Sequence, residues 1–172
     1  ELSVSVSALI IRRDTWQMLV GDRPLMRVLG ASCLFWFAGG LIIPAVNALG
    51  SRELGLKDDQ TSFLAAGLGV GIALGCLAAG RLSGGKVAFH LSRFGCWGVI
   101  VCSLIVWASN ATGNQALGYR GSLLMLIVMG AMAGLFAVPL QVFLQARPPK
   151  GQKGRMIGAM NLLNWIGILL SA

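Results

Sequence analysis

Long runs of apolar residues without charge constrain this chain more than any other feature of its sequence. They occupy residues 28–49, 61–80, 94–109, 122–144 and 156–172. A helix needs about 20 apolar residues to cross a bilayer, and inside the bilayer only helices or closed barrels satisfy the backbone polar groups. Because the period-two alternation of a membrane strand is absent, the runs predict an all-α membrane protein, a transmembrane helix bundle with about five spans.

The composition also indicates a protein that is embedded in a membrane. Hydrophobic residues make up 56% of the chain and charged residues 12%, which leaves too little polar surface for a soluble domain of this size. A net charge of +8 is also found in proteins that bind nucleic acid. Here, however, the basic residues lie in short clusters between the apolar runs. We therefore expect the lipid bilayer as a partner, and no nucleic acid.

The chain divides into two parts on this basis. Residues 1–27 fit the tail of a preceding helix followed by a cytoplasmic linker, and residues 28–172 form the helical bundle. Within the linker, residues 14–20 fit equally well a short interfacial helix, with Trp16 at headgroup depth, or a plain loop. Both ends of the sequence look cut, since it starts without methionine and stops inside an apolar run, so we expect a piece of a longer protein.

Basic residues are concentrated in alternate loops. Cytoplasmic loops retain lysine and arginine, whereas exported loops do not. The pattern predicts a multi-pass protein of the cytoplasmic (inner) membrane whose first, third and fifth loops are cytoplasmic. Those loops carry Arg12, Arg13, Arg23, Arg27, Arg81, Lys86, Arg93, Arg147, Lys150, Lys153 and Arg155. The other two carry Arg52, Lys57 and Arg120, with Glu53, Asp58 and Asp59.

Small residues recur at every fourth position of the second run, and again in the fourth. Such spacing lets a neighbouring helix approach closely; in a transporter, the same smooth faces would let helices rock or slide. The predicted packing residues are Gly67, Gly71, Gly75, Gly130 and Gly134. Pro44 and Pro139 interrupt the first and fourth runs and are expected to free backbone carbonyls and permit kinks.

Five neutral polar residues lie in or beside the spans and are the candidates for a substrate path. Gln141 and Gln145 are one helical turn apart, as are Asn161 and Asn164, so each pair either lines a cavity or bonds across a helix interface. The candidates are Asn47, Gln141, Gln145, Asn161 and Asn164. No full span contains a charged residue, so the sequence offers no proton relay or ion-coupling carboxylate.

The sequence offers no pattern of an enzyme or a metal site. The four cysteines lie in apolar stretches without ligand spacing, and the single histidine, His90, has no cysteine or carboxylate close to it in sequence. No catalytic pair of carboxylates and no phosphate-binding glycine loop is present. We expect no catalytic residue, no metal and no cofactor.

Residues 75–86, which read GCLAAGRLSGGK, resemble the glycine-rich and basic cytoplasmic motif of the major facilitator superfamily. That family carries the motif between helices two and three and, more loosely, between helices eight and nine. The resemblance assigns the motif to Gly80, Arg81, Gly84 and Lys86. Gly80 stands where the family commonly has an aspartate, so the charge relay of the motif is in question while its tight basic turn is kept.

Further stretches are similar to the lysophospholipid transporter branch of that family. They are Phe35-Trp36-Phe37, Val138-Pro139-Leu140-Gln141, residues 145–149, and Gly154-Arg155-Met156-Ile157 followed by Asn161. The resemblance implies a partial C-terminal half, from the end of helix six into helix eleven, that works with the remaining half of the transporter. Its cargo would be a lysophospholipid, such as lysophosphatidylethanolamine, or another amphiphile, moved towards the cytoplasmic face for reacylation.

Two alternatives stay open. Members of this branch occur alone or fused to acyltransferase and acyl-carrier-protein ligase domains, so the same spans would also suit a membrane anchor for a fused or separate phospholipid acyltransferase. The fold is also shared by transporters of other amphiphiles and drugs, so the fold alone does not identify the cargo. The acyltransferase signature, a histidine followed by aspartate four residues later, is missing at His90.

Overall fold

The computed structural model describes residues 13–84, 86–111, 117–149, 151 and 153–171. Its regular elements over those residues are all helical. They are α1 (Arg13–Gly21), α2 (Arg23–Ala48) with a π-helical turn at Leu49–Glu53, α3 (Asp58–Ser83), α4 (Phe89–Ala111), α5 (Gly118–Ala146) and α6 (Lys153–Leu169). The all-α membrane fold predicted from the apolar runs is confirmed.

Four helical segments are long and apolar enough to cross a membrane: Arg23–Glu53, Asp58–Ser83, Phe89–Ser109 and Gly118–Ala146. Each extends beyond the apolar run that predicted it, because polar residues also continue a helix at its ends. The fifth run forms α6, which has 17 residues in the described part. It is therefore shorter than the length expected of a full span.

The segment left open as either a helix or a loop is helical and packs against the bundle. Leu19 of α1 is fully buried, in one cluster with Leu25, Leu144 and Met156 of α2, α5 and α6. Thr15 is also buried. Docking against three helices therefore holds a helix of only nine residues, a length that is marginal in isolation.

The first turns of α2 and α3 are stabilised differently. Asp22 caps α2, since its carboxylate accepts a hydrogen bond from the Leu25 amide at 3.2 Å. In α3 the N-cap is Lys57, and Asp58 and Asp59 both lie in the first turn of the helix. Their charges still favour the positive end of the helix dipole there.

Neither proline breaks its helix. Pro44 lies inside α2 and Pro139 inside α5, so both helices continue through the prolines, and the expected kinks and freed carbonyls stay predictions. A change in backbone winding follows Pro44 by five residues, where the π-helical turn begins at Leu49. The buried ring of Pro139 lies in the packed part of α5, where neighbouring helices hold the segment helical.

Helices α3 and α5 touch through their backbones. A β-carbon added to Gly71 would collide with the carbonyl of Ile127, and one added to Gly75 would collide with the carbonyl of Ala131. The contacts advance in the same direction along both chains, so the two helices run parallel. Close approach of this kind requires residues without side chains.

The glycines of α5 complete the same interface. A β-carbon on Gly134 would lie 2.6 Å from the Ile72 carbonyl oxygen and 2.7 Å from the Cys76 nitrogen, and one on Gly130 would lie 2.9 Å from the Ile72 nitrogen. Gly67 faces a side chain, that of Leu123. The five glycines singled out in the sequence thus all lie on the α3–α5 interface.

Two further crossings use glycines that the sequence pattern did not single out. A β-carbon on Gly95 of α4 would lie 2.5 Å from the Met132 carbonyl oxygen of α5, and one on Gly167 of α6 would lie 2.9 Å from the Cys33 carbonyl oxygen of α2. The second contact brings α6 against α2. This pairing places Asn164 of α6 beside Ser32 and Cys33 of α2.

Charge differs between the two ends of the bundle. The end that holds the start of α2 and the end of α5 carries Arg13, Arg23, Arg27, Arg81, Lys86, Arg93, Arg147, Lys153 and Arg155 among the described residues, and we call it the basic end. At the opposite end the described residues are balanced, with Arg52, Lys57 and Arg120 against Glu53, Asp58 and Asp59.

Candidate substrate site

A small pocket of about 170 Å³ lies between α2, α5 and α6. We call it the amide pocket, because three of its six lining residues carry side-chain amides. It is lined by Trp36, Gln141, Asn161, Asn164, Trp165 and Ile168. The structure thus brings together three of the five candidates from the sequence, from two helices that the sequence alone does not place side by side.

Asn164 is the most constrained of these amides. Its side chain is buried, and its Oδ1 accepts hydrogen bonds from Ser32 Oγ at 3.1 Å and from Cys33 Sγ at 3.5 Å. Both donors belong to α2. Asn164 therefore combines the two roles left open in the sequence, since it bonds across a helix interface and also lines a pocket.

The other two candidates lie outside the pocket. Gln145 is exposed and lies one residue before the end of α5. Asn47 is exposed near the end of α2, and its carbonyl accepts a hydrogen bond from Ser51 Oγ at 2.8 Å. The structure does not bring either of them to the amide pocket.

Sequence reasoning did not assign Ser32, Trp36 or Trp165 to a site. Trp36 belongs to a stretch that carries the family resemblance, and Ser32 is a small polar residue inside an apolar run. The available signal was that Ser32 and Trp36 are one turn apart on α2 and share a face. Without knowledge that α6 packs on this face, that signal points to no ligand.

A larger cavity of about 540 Å³ lies between the final turns of α2, the later part of α4 and the first half of α5. We call it the apolar cavity. Its lining includes Ile42, Leu49, Val106, Trp107, Leu126 and Met129, with Ser103 and Glu53 as polar members. The π-helical turn supplies part of its wall, and such turns are frequent at functional sites. No pattern in the sequence predicted it.

The motif residues lie at the basic end. Gly84 ends α3 with φ of 53°, in the left-handed region that favours glycine. Arg81 and Lys86 are exposed on either side of that turn. The geometry is that of a tight basic turn, in which a β-carbon at Gly84 would be strained.

An ion pair joins two helix ends at the same side of the bundle. Arg147 Nε lies 2.7 Å from Asp22 Oδ2, and its guanidinium carbon lies 5.7 Å from the centroid of the Phe143 ring. The hydrogen bond from Arg147 holds the pKa of the Asp22 carboxyl below its usual value, and the pKa of Arg147 is raised. Arg155 Nη2 donates to Thr15 Oγ1 at 3.2 Å and ties α6 to α1.

The sequence profile described as Major Facilitator Superfamily matches residues 3–172. The chain belongs to the major facilitator superfamily. That superfamily consists of transporters rather than enzymes. Together with four helices of membrane-crossing length, membership makes this an integral, multi-pass membrane protein of the superfamily.

A curated relative from Rhodobacter capsulatus, named "Uncharacterized protein in puhA-bchM intergenic region", is 26% identical over 148 residues. The alignment covers 86% of this superfamily chain and 30% of the relative. The chain thus spans less than a third of the length of the curated relative it matches. No solved structure matches the chain.

Proposed function

We propose that the protein is a secondary transporter that moves lysophospholipid across the cytoplasmic membrane by alternating access. One observation carries the proposal: α2 and α5 of this superfamily member line both an apolar cavity and a separate pocket of neutral amides. A lysophospholipid has one acyl chain and one polar headgroup, and it needs both environments at once.

The two sites lie at a useful separation along α2. Trp36 lines the amide pocket and Ile42 lines the apolar cavity. Six residues of helix correspond to about 9 Å, a distance that one amphiphile spans. Neutral amides can replace the water around a phosphate or an amine without a buried fixed charge.

The similarity to the lysophospholipid branch supports this cargo over other amphiphiles. On that proposal the remaining half of the transporter completes the path, and reacylation belongs to a fused or separate acyltransferase. The basic end faces the cytoplasm, where Arg147 and Arg155 would attract the phosphate at the membrane surface.

The experiment is uptake of labelled lysophosphatidylethanolamine in spheroplasts that express the full-length protein at matched abundance. We expect Gln141→Ala and Asn161→Ala to lower uptake severalfold, because each removes a hydrogen-bonding group from the pocket. Gln145→Ala is the matched control, since it is an exposed amide one turn from Gln141 on the same helix.

Parental rates in both pocket variants would reject the amide pocket as part of the path. Absence of lysophospholipid uptake above empty-vector spheroplasts would reject the cargo. In that case, uptake of other labelled amphiphiles distinguishes a transporter of different cargo from a membrane anchor, which would move none of them.

A further inference from the structure

We infer that Asn164 is the residue that recognises the headgroup phosphate, by donating from its amide nitrogen, and that Ser32 is a positioning residue that holds it in this orientation. The inference rests on the proposed function and identifies the part of the cargo that the amide pocket binds. The shared chemistry is a phosphate oxygen, whether it belongs to a lipid headgroup or to a water-soluble phosphate ester.

The structure places the amide oxygen of Asn164, not its nitrogen, beside α2. A side-chain amide has one acceptor oxygen with two lone pairs and one nitrogen with two N–H donors. Ser32 Oγ and Cys33 Sγ both lie within hydrogen-bonding distance of Oδ1, at 3.1 and 3.5 Å. The oxygen is therefore used by α2, which leaves the nitrogen as the group that Asn164 can offer.

That nitrogen is not sealed inside the protein. Over the part of the chain that the structure describes, the buried side-chain polar atom without a hydrogen-bond partner is Thr61 Oγ1, not Asn164 Nδ2. Asn164 lines the amide pocket, so the pocket is the space into which its N–H groups can donate.

At Asn164 itself, the available group suits a phosphate rather than an ammonium group. An ammonium is a donor only and needs acceptor atoms, whereas the fixed acceptor of Asn164 is already satisfied by α2. A phosphate oxygen accepts from the free N–H, and a hydrogen bond to a charged acceptor is roughly twice as strong as a neutral one. No ionised side chain lies among the six residues that line the pocket.

The backbone keeps this donor in place. Gly167, three residues after Asn164, packs so closely on α2 that an added β-carbon would lie 2.9 Å from the Cys33 carbonyl oxygen. Ser32, adjacent to that contact, is itself almost fully buried. The donor therefore has little freedom to rotate away, which lowers the entropy lost when a ligand binds.

The test uses Asn164→Asp, which keeps an oxygen for Ser32 but replaces the donor nitrogen with a charged acceptor. Gln145→Glu is the matched control, since it makes the same change from amide to carboxylate on an exposed residue outside the pocket. Ser32→Ala removes the positioning hydroxyl. All variants are made in the full-length protein, with the native cysteines other than Cys33 replaced.

Binding is read from protection of Cys33 against alkylation by a maleimide, so the readout does not depend on transport. Three competitors separate the features of the cargo: lysophosphatidylethanolamine, glycerophosphoethanolamine without the acyl chain, and monoacylglycerol without the phosphate. Thermal unfolding of each variant in detergent, without competitor, reports whether the variant keeps its helix packing.

We expect Asn164→Asp to raise the half-protecting concentration of lysophosphatidylethanolamine roughly tenfold or more. Ser32→Ala should raise that concentration less. It should also raise KM for uptake with little change in kcat. Monoacylglycerol should protect all variants equally, and Gln145→Glu should behave as the parent. Protection by glycerophosphoethanolamine at the same concentration as the lysolipid would assign the site to soluble phosphate esters, and would overturn its role in lipid recognition.

Equal losses for lysophosphatidylethanolamine and monoacylglycerol in Asn164→Asp would overturn the inference, because they would indicate disturbed packing rather than a lost phosphate contact. An unchanged half-protecting concentration in that variant would overturn it as well, while protection of the parent protein by lysophosphatidylethanolamine would leave the proposed function standing. A parent protein that the lysolipid does not protect would overturn both.

Discussion

At the scale of single residues, the sequence identifies which residue types matter but not which of them meet. Gln141 and Gln145 share a helix face by their spacing, yet Gln141 lines the amide pocket and Gln145, one turn further along α5, is exposed outside it. Helical periodicity defines a direction around the axis, not the level at which a neighbouring helix passes. Ser32 meets Asn164 only because α6 crosses α2 at that level.

The glycines of α3 give the sharpest prediction at this scale. Gly71 and Gly69 are two residues apart on one helix, but a β-carbon at Gly71 would collide with the Ile127 carbonyl, whereas one at Gly69 would meet nothing within 4 Å. Overpacking costs about 1–3 kcal/mol, while replacing glycine with alanine inside a helix contributes about 0.5–1 kcal/mol of stability.

We therefore expect Gly71→Ala to lower the unfolding temperature of the full-length protein in detergent, and Gly69→Ala to leave it unchanged or raise it. The measurement is thermal unfolding at matched detergent and lipid content. If the two variants unfold at the same temperature, backbone contact between α3 and α5 does not contribute to stability.

At the scale of elements, apolar runs predicted the long helices well because burial in lipid and helix formation depend on the same local residues. The short helix α1 could not be resolved in this way. It is held by Leu19 in the cluster with Leu144 and Met156, and by Thr15 with Arg155, contacts with residues far along the chain. Likewise, helix caps depend on the residue at which a helix starts, which apolar runs locate only approximately.

The ion pair between Asp22 and Arg147 gives the prediction at this scale. Asp22→Asn keeps a side chain suited to capping α2 but removes the charge, so it isolates the pair from the cap. The pair is partly exposed, and the expected loss of unfolding temperature is small. Arg147→Gln should give a similar loss, and the double variant should lose no more than the larger single loss, because both remove one interaction.

The stabilisation by the Asp22–Arg147 ion pair depends on pH in a definite direction. The pKa of Asp22 is lowered in the folded protein, so the contribution of the pair is present above the unfolded carboxyl pKa of about 3.9 and is lost as pH falls through the folded value. The difference in unfolding temperature between the parent and Asp22→Asn should stay constant near neutral pH and shrink below about pH 4. A difference that grows on acidification would assign the effect to another group.

At the scale of the whole molecule, the fold class was accessible from the sequence because membrane helices satisfy their own backbone groups and need no distant partner. Cavities were not accessible, since each is bounded by several helices whose relative heights depend on side-chain packing. The distribution of charge could be predicted from the sequence in part. Loop residues were assigned from sequence, and the parallel pairing of α3 with α5 then places the described basic loops at one end of the bundle.

We predict that the basic end of the bundle faces the cytoplasm. Lysine and arginine are retained on the cytoplasmic side, and the basic end carries Arg81 and Lys86, whereas Lys57 lies at the opposite end beside Asp58 and Asp59. In a cysteine-free full-length protein, we expect Lys57→Cys to react with a membrane-impermeant thiol reagent in intact spheroplasts. Arg81→Cys and Lys86→Cys should react only after the membrane is permeabilised, which also controls for their accessibility in the folded protein. Labelling of Arg81→Cys and Lys86→Cys in intact spheroplasts, with Lys57→Cys shielded, would reverse the orientation and place the amide pocket nearer the opposite membrane face.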